Sequence, residues 1–264
     1  MPIPDLFAFP SPPPRASFKD YDHLIKQLKV DKLTINYMTF LPLQEPRFTV
    51  IYSHSNAENM ITSKQFLQEL SKILTCKIIA YEYPGYVLND RKPRRKTIEK
   101  AALAIAKHFA EEQNLIFWGR SLGSYFAALQ AFSIPCKGLV LESGLSSGLD
   151  VVCKRSFRFL DSFCVKNLIK DVKSIIIHGT EDTVVPVRAA MNNKAAGGDN
   201  ATICLIEGAG HEDVGYYYLQ DLVNGIVKFL GDLEIEIGDW SVENRWKKRD
   251  GEEEENVSQR MRFI

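Results

Sequence analysis

Two five-residue strings in this chain have the spacing of a serine nucleophile set between small residues. They are Gly119-Arg120-Ser121-Leu122-Gly123 and Gly144-Leu145-Ser146-Ser147-Gly148. A glycine on each side lets a strand turn sharply into a helix, lifting the serine hydroxyl out of the turn. The helix N-terminus then faces an acyl oxygen that becomes negative during attack. Both strings follow an apolar run, so the string alone does not choose between them. Context favours Ser121, which lies between Leu115-Ile116-Phe117-Trp118 and Tyr125-Phe126-Ala127-Ala128-Leu129. The small residues of the second segment allow a helix to sit close to a sheet. Ser146 leads into the bulkier Val151-Val152-Cys153-Lys154-Arg155 and stands as the competing candidate, read as a loop residue.

A serine hydroxyl needs a base, and the base needs an orienting acid. Where this elbow occurs the chain order is serine, acid, histidine. His23, His54 and His108 precede Ser121, and His178 is followed at once by Gly179-Thr180-Glu181-Asp182. His211 follows both a serine and an acid, in the glycine-rich Gly208-Ala209-Gly210-His211-Glu212-Asp213. It is the expected base. Asp182 is the expected acid, with Glu181 and Glu142 as competitors, and His178 is expected to hold the turn at Gly179. An oxyanion hole needs two backbone N–H groups. Leu122, directly after the nucleophile, supplies one. Asn56, in His54-Ser55-Asn56-Ala57-Glu58-Asn59, supplies the other. Asn56 and Asn59 also suit a helix N-cap, and the two readings are compatible.

These residues require strands that end where the chemistry is. Strands are predicted at 32–37, 48–54, 77–82, 114–118, 138–142, 174–178 and 201–206 from β-branched and aromatic runs. Helical patterns fill 61–74, 97–112, 122–132, 186–195 and 214–230. Several strands are nearly continuous apolar runs, as expected when both faces are covered in a mostly parallel sheet. The predicted class is therefore α/β, a mostly parallel central sheet with helices on both faces. Six of the 12 prolines fall within residues 2–14, so residues 1–30 read as a proline-rich N-terminal arm. The α/β body spans 31–230, and 231–264 is a polar C-terminal tail whose Lys247-Lys248-Arg249 and Glu252–255 charges cancel.

Composition narrows the function. The 264 residues are 45% hydrophobic and 25% charged, which excludes a mostly disordered chain. The 33 basic residues balance 33 acidic ones, leaving no electrostatic footprint for nucleic acid. No apolar run approaches the roughly 18 residues of a membrane span. No secretory signal or lipidation signal is expected at either end. Five cysteines, odd in number and never in a C-x-x-C pair, fit reduced thiols in a cytoplasmic protein. No metal or organic cofactor is expected: there is no H-E-x-x-H, no P-loop and no G-x-G-x-x-G after a strand.

Taken in order, Tyr52 to Asn59, Tyr81-Glu82-Tyr83-Pro84-Gly85-Tyr86, Gly119 to Gly123, His178 to Asp182 and Gly208 to His211 resemble the α/β-hydrolase superfamily. Counting strands agrees, because one further strand separates Ser121 from the acid strand, and choosing Ser146 would lose it. The strings Ser-His-Ser-Asn-Ala, Gly-Arg-Ser-Leu-Gly, Glu-Ser-Gly-Leu-Ser-Ser-Gly and His-Gly-Thr-Glu-Asp are similar to the group of α/β-hydrolase domain-containing proteins that includes proteins 17 and 13. That resemblance implies a serine hydrolase acting on acyl esters or thioesters, with S-acylated (palmitoylated) proteins as a substrate class. Ser55 and Val87 stand where the group usually has glycine. The relatives that act on palmitoyl proteins carry an N-terminal cysteine cluster, whereas the first cysteine here is Cys76. Peripheral membrane contact is thus a second expectation without that support, resting on Leu6, Phe7 and Phe9. The segment 143–173, with Phe157, Phe159, Leu160 and Phe163, is read either as a lid over an acyl pocket or as a core-packing helix. A general carboxylesterase, a small-lipid esterase and a non-catalytic binding protein of the same fold are the alternative functions.

Overall fold

The computed structural model describes residues 22–86, 93–147 and 163–235, and within them are eight strands. These are β1 (Lys26–Val30), β2 (Leu33–Phe40), β3 (Thr49–Ser53), β4 (Lys77–Tyr81), β5 (Leu115–Arg120), β6 (Gly138–Glu142), β7 (Ser174–Gly179) and β8 (Ala201–Ile206). Five α-helices alternate with them: α1 (Lys64–Leu74), α2 (Arg95–His108), α3 (Gly123–Ser133), α4 (Arg188–Gly197) and α5 (Leu219–Asp232). The strands form one sheet in the order β1-β2-β4-β3-β5-β6-β7-β8. Pairing is antiparallel at β1–β2 and β2–β4 and parallel from β4 through β8. This is the predicted α/β architecture, mostly parallel with helices on both faces.

Alternate strand residues point to opposite faces, and here both faces are apolar. Ile51, Ile79 and Phe117 join a core layer with Ile98, Ala102 and Ile105 of α2, Phe126 and Ala127 of α3, and Ala189 of α4. Their neighbours Val50, Tyr52, Ile78, Ile116 and Trp118 join a second layer with Leu67 and Leu70 of α1 and with Leu222, Ile226 and Phe229 of α5. Strands covered on two sides lose the polar alternation that would mark a solvated face. The consecutive apolar runs in the sequence have this cause.

The first strand departs from expectation. Residues 26–30 lie in the segment assigned to the N-terminal arm, yet they pair with β2 from Lys26↔Tyr37 to Val30↔Leu33. None of the five is buried, so no apolar pattern announced them. A tight turn makes the strand instead, with Asp31 at φ 53°, a region that aspartate tolerates better than most residues. At the other end α5 continues to Asp232, past the boundary at 230, and Ile235 packs into the second core layer.

The helices α1 and α5 begin at Lys64 and Leu219, later than the predicted 61 and 214, each after a separate turn. The Asn59 Oδ1 accepts the N–H groups of Ile61 and Thr62 at 2.9 and 3.0 Å, holding a turn before α1. The Asp213 carbonyl accepts from Tyr216, Tyr217 and Tyr218, holding another before α5. A side-chain acceptor such as Asn59 Oδ1 competes with the helical ladder, whereas the Asp213 carbonyl closes a single turn of its own before α5. Among the described residues no helix is long and apolar enough to cross a membrane.

Candidate active site

β5 sits at the middle of the sheet and ends in Arg120, so the residue after it lies at the carboxyl edge where parallel strands open a crevice. That residue is Ser121, at φ 51°. A non-glycine residue in this region costs roughly 1–2 kcal/mol, and the surrounding bonds hold it there. The Ser121 N–H donates to the Glu142 carbonyl at 2.9 Å, while its own carbonyl accepts from Ser124 N–H at 3.0 Å and Ser124 Oγ at 2.6 Å. The two flanking glycines are sterically required. A Cβ on Gly119 would collide with the Gly123 carbonyl, and one on Gly123 with the Ser53 carbonyl of β3. The helix that follows, α3, is buried almost throughout, with Ala127, Ala128 and Ala131 allowing close approach.

The loops after β7 and β8 bring the other two groups to the same place. They are joined by Thr180 N–H to the Ile206 carbonyl and Glu181 N–H to the Ala209 carbonyl, both 3.0 Å, and by Gly208 N–H to Thr180 Oγ1 at 2.9 Å. Asp182 Oδ1 accepts from Val184 and Val185 N–H at 2.9 and 2.8 Å, which fixes the carboxylate and leaves Oδ2 for an imidazole. His211 Nδ1 lies 2.7 Å from that oxygen, and His211 Nε2 lies 2.9 Å from Ser121 Oγ. A carboxylate oxygen only accepts, so the imidazole proton belongs on Nδ1, and the Nε2 lone pair is free for the serine O–H. Burial raises the Asp182 pKa, but the hydrogen bond and charge of His211, the Val185 N–H and the nearby His178 outweigh it, and the net shift is downward. The acid is therefore ionised wherever the histidine is to act.

The structure separates the competing candidates. Glu181 turns its side chain out, as its exposure shows. Glu142 is fully buried and taken up elsewhere, its Oε2 accepting from Trp118 Nε1 at 2.9 Å. Its pKa is raised by burial, against the lowering effect of Arg120 and Trp118. Ser146 is buried and accepts from Asn192 Nδ2 at 3.3 Å. Gly148, which completes its string, lies outside the described residues. His178 Nε2 donates to the Val185 carbonyl at 2.8 Å and lies 3.4 Å from Asp182 Oδ2. It thus braces the acid loop, which begins with the turn at Gly179.

On the oxyanion side, neither Leu122 N–H nor Asn56 N–H has an acceptor among the described residues. The adjoining Ser55 N–H is engaged, donating to Glu58 Oε2 at 3.0 Å. The side chain of Asn56 is anchored separately, Oδ1 accepting from Tyr86 Oη at 2.5 Å. Tyr83 Oη ties the loop's other end by donating to the His54 carbonyl at 2.7 Å. Ser55 is buried and has a negative φ, so it fits this loop without backbone strain. Val87 lies outside the described residues, as do Phe157, Phe159 and Leu160 of the segment read as a lid. Phe163 is described, and it packs edge-on against Tyr125, ring centroids 5.0 Å apart, inside the first core layer. Among the described residues no cluster of three His, Cys, Asp or Glu is placed to hold a metal ion.

One group was missed by sequence reasoning. Arg120, the variable position of the first string, is buried and surrounded by Glu58, Glu142 and Glu212. The one signal in the sequence was a charge at the end of an otherwise apolar strand.

No family model matches the chain. It is similar to α/β-hydrolase domain-containing protein 17C of Xenopus tropicalis, 32% identical over 188 residues that cover 67% of this chain and 60% of the relative. Protein 17B of Homo sapiens is 31% identical over 199 residues, 71% of this chain and 69% of that one. The chain therefore matches only about three-fifths of the length of the 17C relatives. Among solved structures, mouse α/β-hydrolase domain-containing protein 10 aligns with a TM-score of 0.63 at 15% identity, covering 79% of this chain and 99% of that one. A Thermogutta terrifontis esterase aligns with a TM-score of 0.64 at 14% identity, covering 83% and 97%. These structural likenesses speak for the fold.

Proposed function

Because the chain belongs to the family of α/β-hydrolase domain-containing proteins that includes 17B and 17C, we propose that it is a serine hydrolase of acyl esters or thioesters working through an acyl-enzyme. The observation that carries this reading is the unbroken line Ser121 Oγ, His211 Nε2, His211 Nδ1, Asp182 Oδ2, with contacts of 2.9 and 2.7 Å. Ser121 Oγ attacks the acyl carbon while His211 Nε2 takes its proton. The carbonyl electrons move to oxygen, facing the N–H groups of Leu122 and Asn56. Collapse of this intermediate breaks the bond to the leaving oxygen or sulfur, which receives the proton from His211. Water repeats the sequence on the Ser121 ester and releases the carboxylic acid. Asp182 stays ionised and holds the imidazolium that forms twice per cycle.

S-acylated proteins are the substrate class the family membership favours, with the cysteine thiolate as leaving group. A sulfur leaving group suits the site because it departs with little protonation, lightening the load on His211. A cytoplasmic location goes with this reading. Its support is that the five cysteines are odd in number and never in a C-x-x-C pair, a usage that suits a reducing compartment.

The test is a fluorophosphonate probe applied to wild type, Ser121→Ala and Ser146→Ala, followed by paired long-chain thioesters and short-chain oxygen esters. Labelling lost only in Ser121→Ala, with faster turnover of the long-chain thioester, is the expected result. A folded wild type that takes no label would refute the hydrolase reading. Preferred turnover of short oxygen esters would replace the acyl-protein substrate by a general carboxylesterase.

A further inference from the structure

A histidine on a glycine-bearing loop must be held in place by something other than its own backbone. In the segment 208–213, Gly208 has φ 74°, and the His211 N–H makes no backbone hydrogen bond among the described residues. The loop is tied before His211 by Glu181 N–H to the Ala209 carbonyl, and after it by Gly210 N–H to Asp213 Oδ2 at 2.7 Å. Between those ties His211 meets Asp182 and Ser121, and the further side-chain anchor among the described residues is Glu212, whose Oε2 accepts from Arg120 Nη2 at 2.7 Å. The Glu212 side chain is 59% exposed, and without it the guanidinium, itself only 4% exposed, still has Glu58 and Glu142 beside it. Global stability is therefore a poor reason for this contact.

The far side of the same guanidinium explains it better. Arg120 Nη1 donates to Glu58 Oε1, and Glu58 Oε2 in turn accepts the Ser55 N–H beside Asn56. Burial raises the Glu58 pKa, yet Arg120, the Ser55 N–H and His54 bring it below its ordinary value, so the carboxylate is charged. Arg120 Nε lies 3.4 Å from Glu142 Oε1, and the guanidinium stands 5.9 Å from the Tyr216 ring of the segment that follows His211. One planar group bonded to the residue next to Ser121 thus reaches both loops that must converge on an acyl carbon. Lysine could not do this, because an ammonium is a point charge without the fixed fork.

We propose that Arg120 is a positioning residue that locks the His211 loop and the Asn56 loop to the serine elbow, through Glu212 and Glu58. The proposal rests on the hydrolase reading above, and goes beyond it by assigning a role to a residue that touches no reacting atom.

The test measures fluorophosphonate labelling rate, kcat and KM on one ester, and the thermal midpoint, for wild type, Glu212→Ala, Glu212→Gln and Arg120→Lys. Lys100→Gln, which breaks the exposed pair with Asp31, is the control. A misplacement of about 1 Å at such a site costs up to about 10²-fold in rate. The expected result for Glu212→Ala is a labelling rate and kcat at least about tenfold lower, with KM and midpoint unchanged. Glu212→Gln, which can still accept one hydrogen bond, recovers part of the loss, and Arg120→Lys falls further than either. Glu212→Ala labelling at the wild-type rate would overturn the proposal, as would a loss of rate matched by a loss of midpoint. A wild type that takes no label would instead overturn the hydrolase reading on which the proposal rests.

Discussion

Replacing Asp182 by asparagine changes one atom and should stop the site by a route that the hydrogen bonds spell out. The amide oxygen has two places to go. Placed at the Oδ1 position it accepts from Val184 and Val185 N–H, as the carboxylate does at 2.9 and 2.8 Å. The amide NH2 then faces His211 Nδ1, which must become an acceptor. Placed the other way, the amide oxygen faces the imidazole, but NH2 opposes two backbone donors and strands both. Leaving a buried donor unpaired costs about 1–3 kcal/mol; Val185 is buried, though Val184 is half-exposed, so the first orientation wins by at least about that much. In it the imidazole proton moves to Nε2, the atom that has to take the proton from Ser121 Oγ at 2.9 Å.

The wrong tautomer lowers kcat by about 10⁴ in sites of this kind, and at 1.36 kcal/mol per tenfold that is about 5 kcal/mol of transition-state stabilisation. The assay is kcat on a chromogenic ester and the fluorophosphonate labelling rate, with the thermal midpoint as a check on folding. Glu181→Gln serves as the control, since that side chain faces away. A folded Asp182→Asn protein retaining more than a tenth of wild-type kcat would refute the assignment of the acid. It would also refute the inference that the two N–H groups dictate the tautomer.

Four further outcomes follow from the same contacts. The Asp182 carboxyl is depressed below its ordinary value near 3.8, so its contribution to stability is complete above that value and is lost as pH falls through the folded-state pKa. The difference in unfolding midpoint between wild type and Asp182→Asn should shrink from about pH 5 to about pH 3. Tyr86→Phe frees the Asn56 Oδ1 that the hydroxyl holds at 2.5 Å; a displaced donor should cost about tenfold in kcat, less than the 10²–10³ for a donor removed, with KM little changed. Gly123→Ala puts a Cβ into the Ser53 carbonyl, and overpacking against backbone should destabilise by about 3 kcal/mol or more, read by denaturant unfolding. Ser146→Ala loses one acceptor for Asn192 and should cost about 1 kcal/mol while labelling proceeds at the wild-type rate.

The parallel part of the fold was legible because burial on both faces leaves a simple trace, an unbroken apolar run. Val50 to Tyr52, Ile116 to Trp118 and Ile175 to Ile177 are all of this kind, and their core layers are the reason. The hairpin strand β1 left no such trace. Its residues Lys26 and Lys29 are exposed, Leu28 and Val30 only partly covered, and its existence depends on a turn and on backbone pairing with β2. Strand ends explain why the serine, acid and histidine positions could be named at all. In a parallel sheet every strand delivers its next loop to one edge, so residues just after β5, β7 and β8 meet whatever lies between them in the chain.

Choosing among neighbours was a different problem. Glu181, Asp182 and Glu142 are all carboxylates near the ends of adjacent strands, and spacing gives each a claim. What separates them is which oxygen a backbone N–H occupies. Asp182 is selected by the turn that presents Val184 and Val185 N–H to it, whereas Trp118 and Arg120 draw Glu142 away. The Arg120 network lies further still from what a sequence can announce. Glu58, Arg120, Glu142 and Glu212 are spread over more than half the chain, share no motif and no period, and sit on four different elements. Backbone topology brings their loops to one edge, but the side-chain reach of a single guanidinium joins them. A residue that does chemistry must be of one of a few types at a particular strand end; a residue that only holds such loops together needs reach and charge. That difference made the meeting of Ser121, Asp182 and His211 legible in the sequence and the contacts of Arg120 visible only in three dimensions.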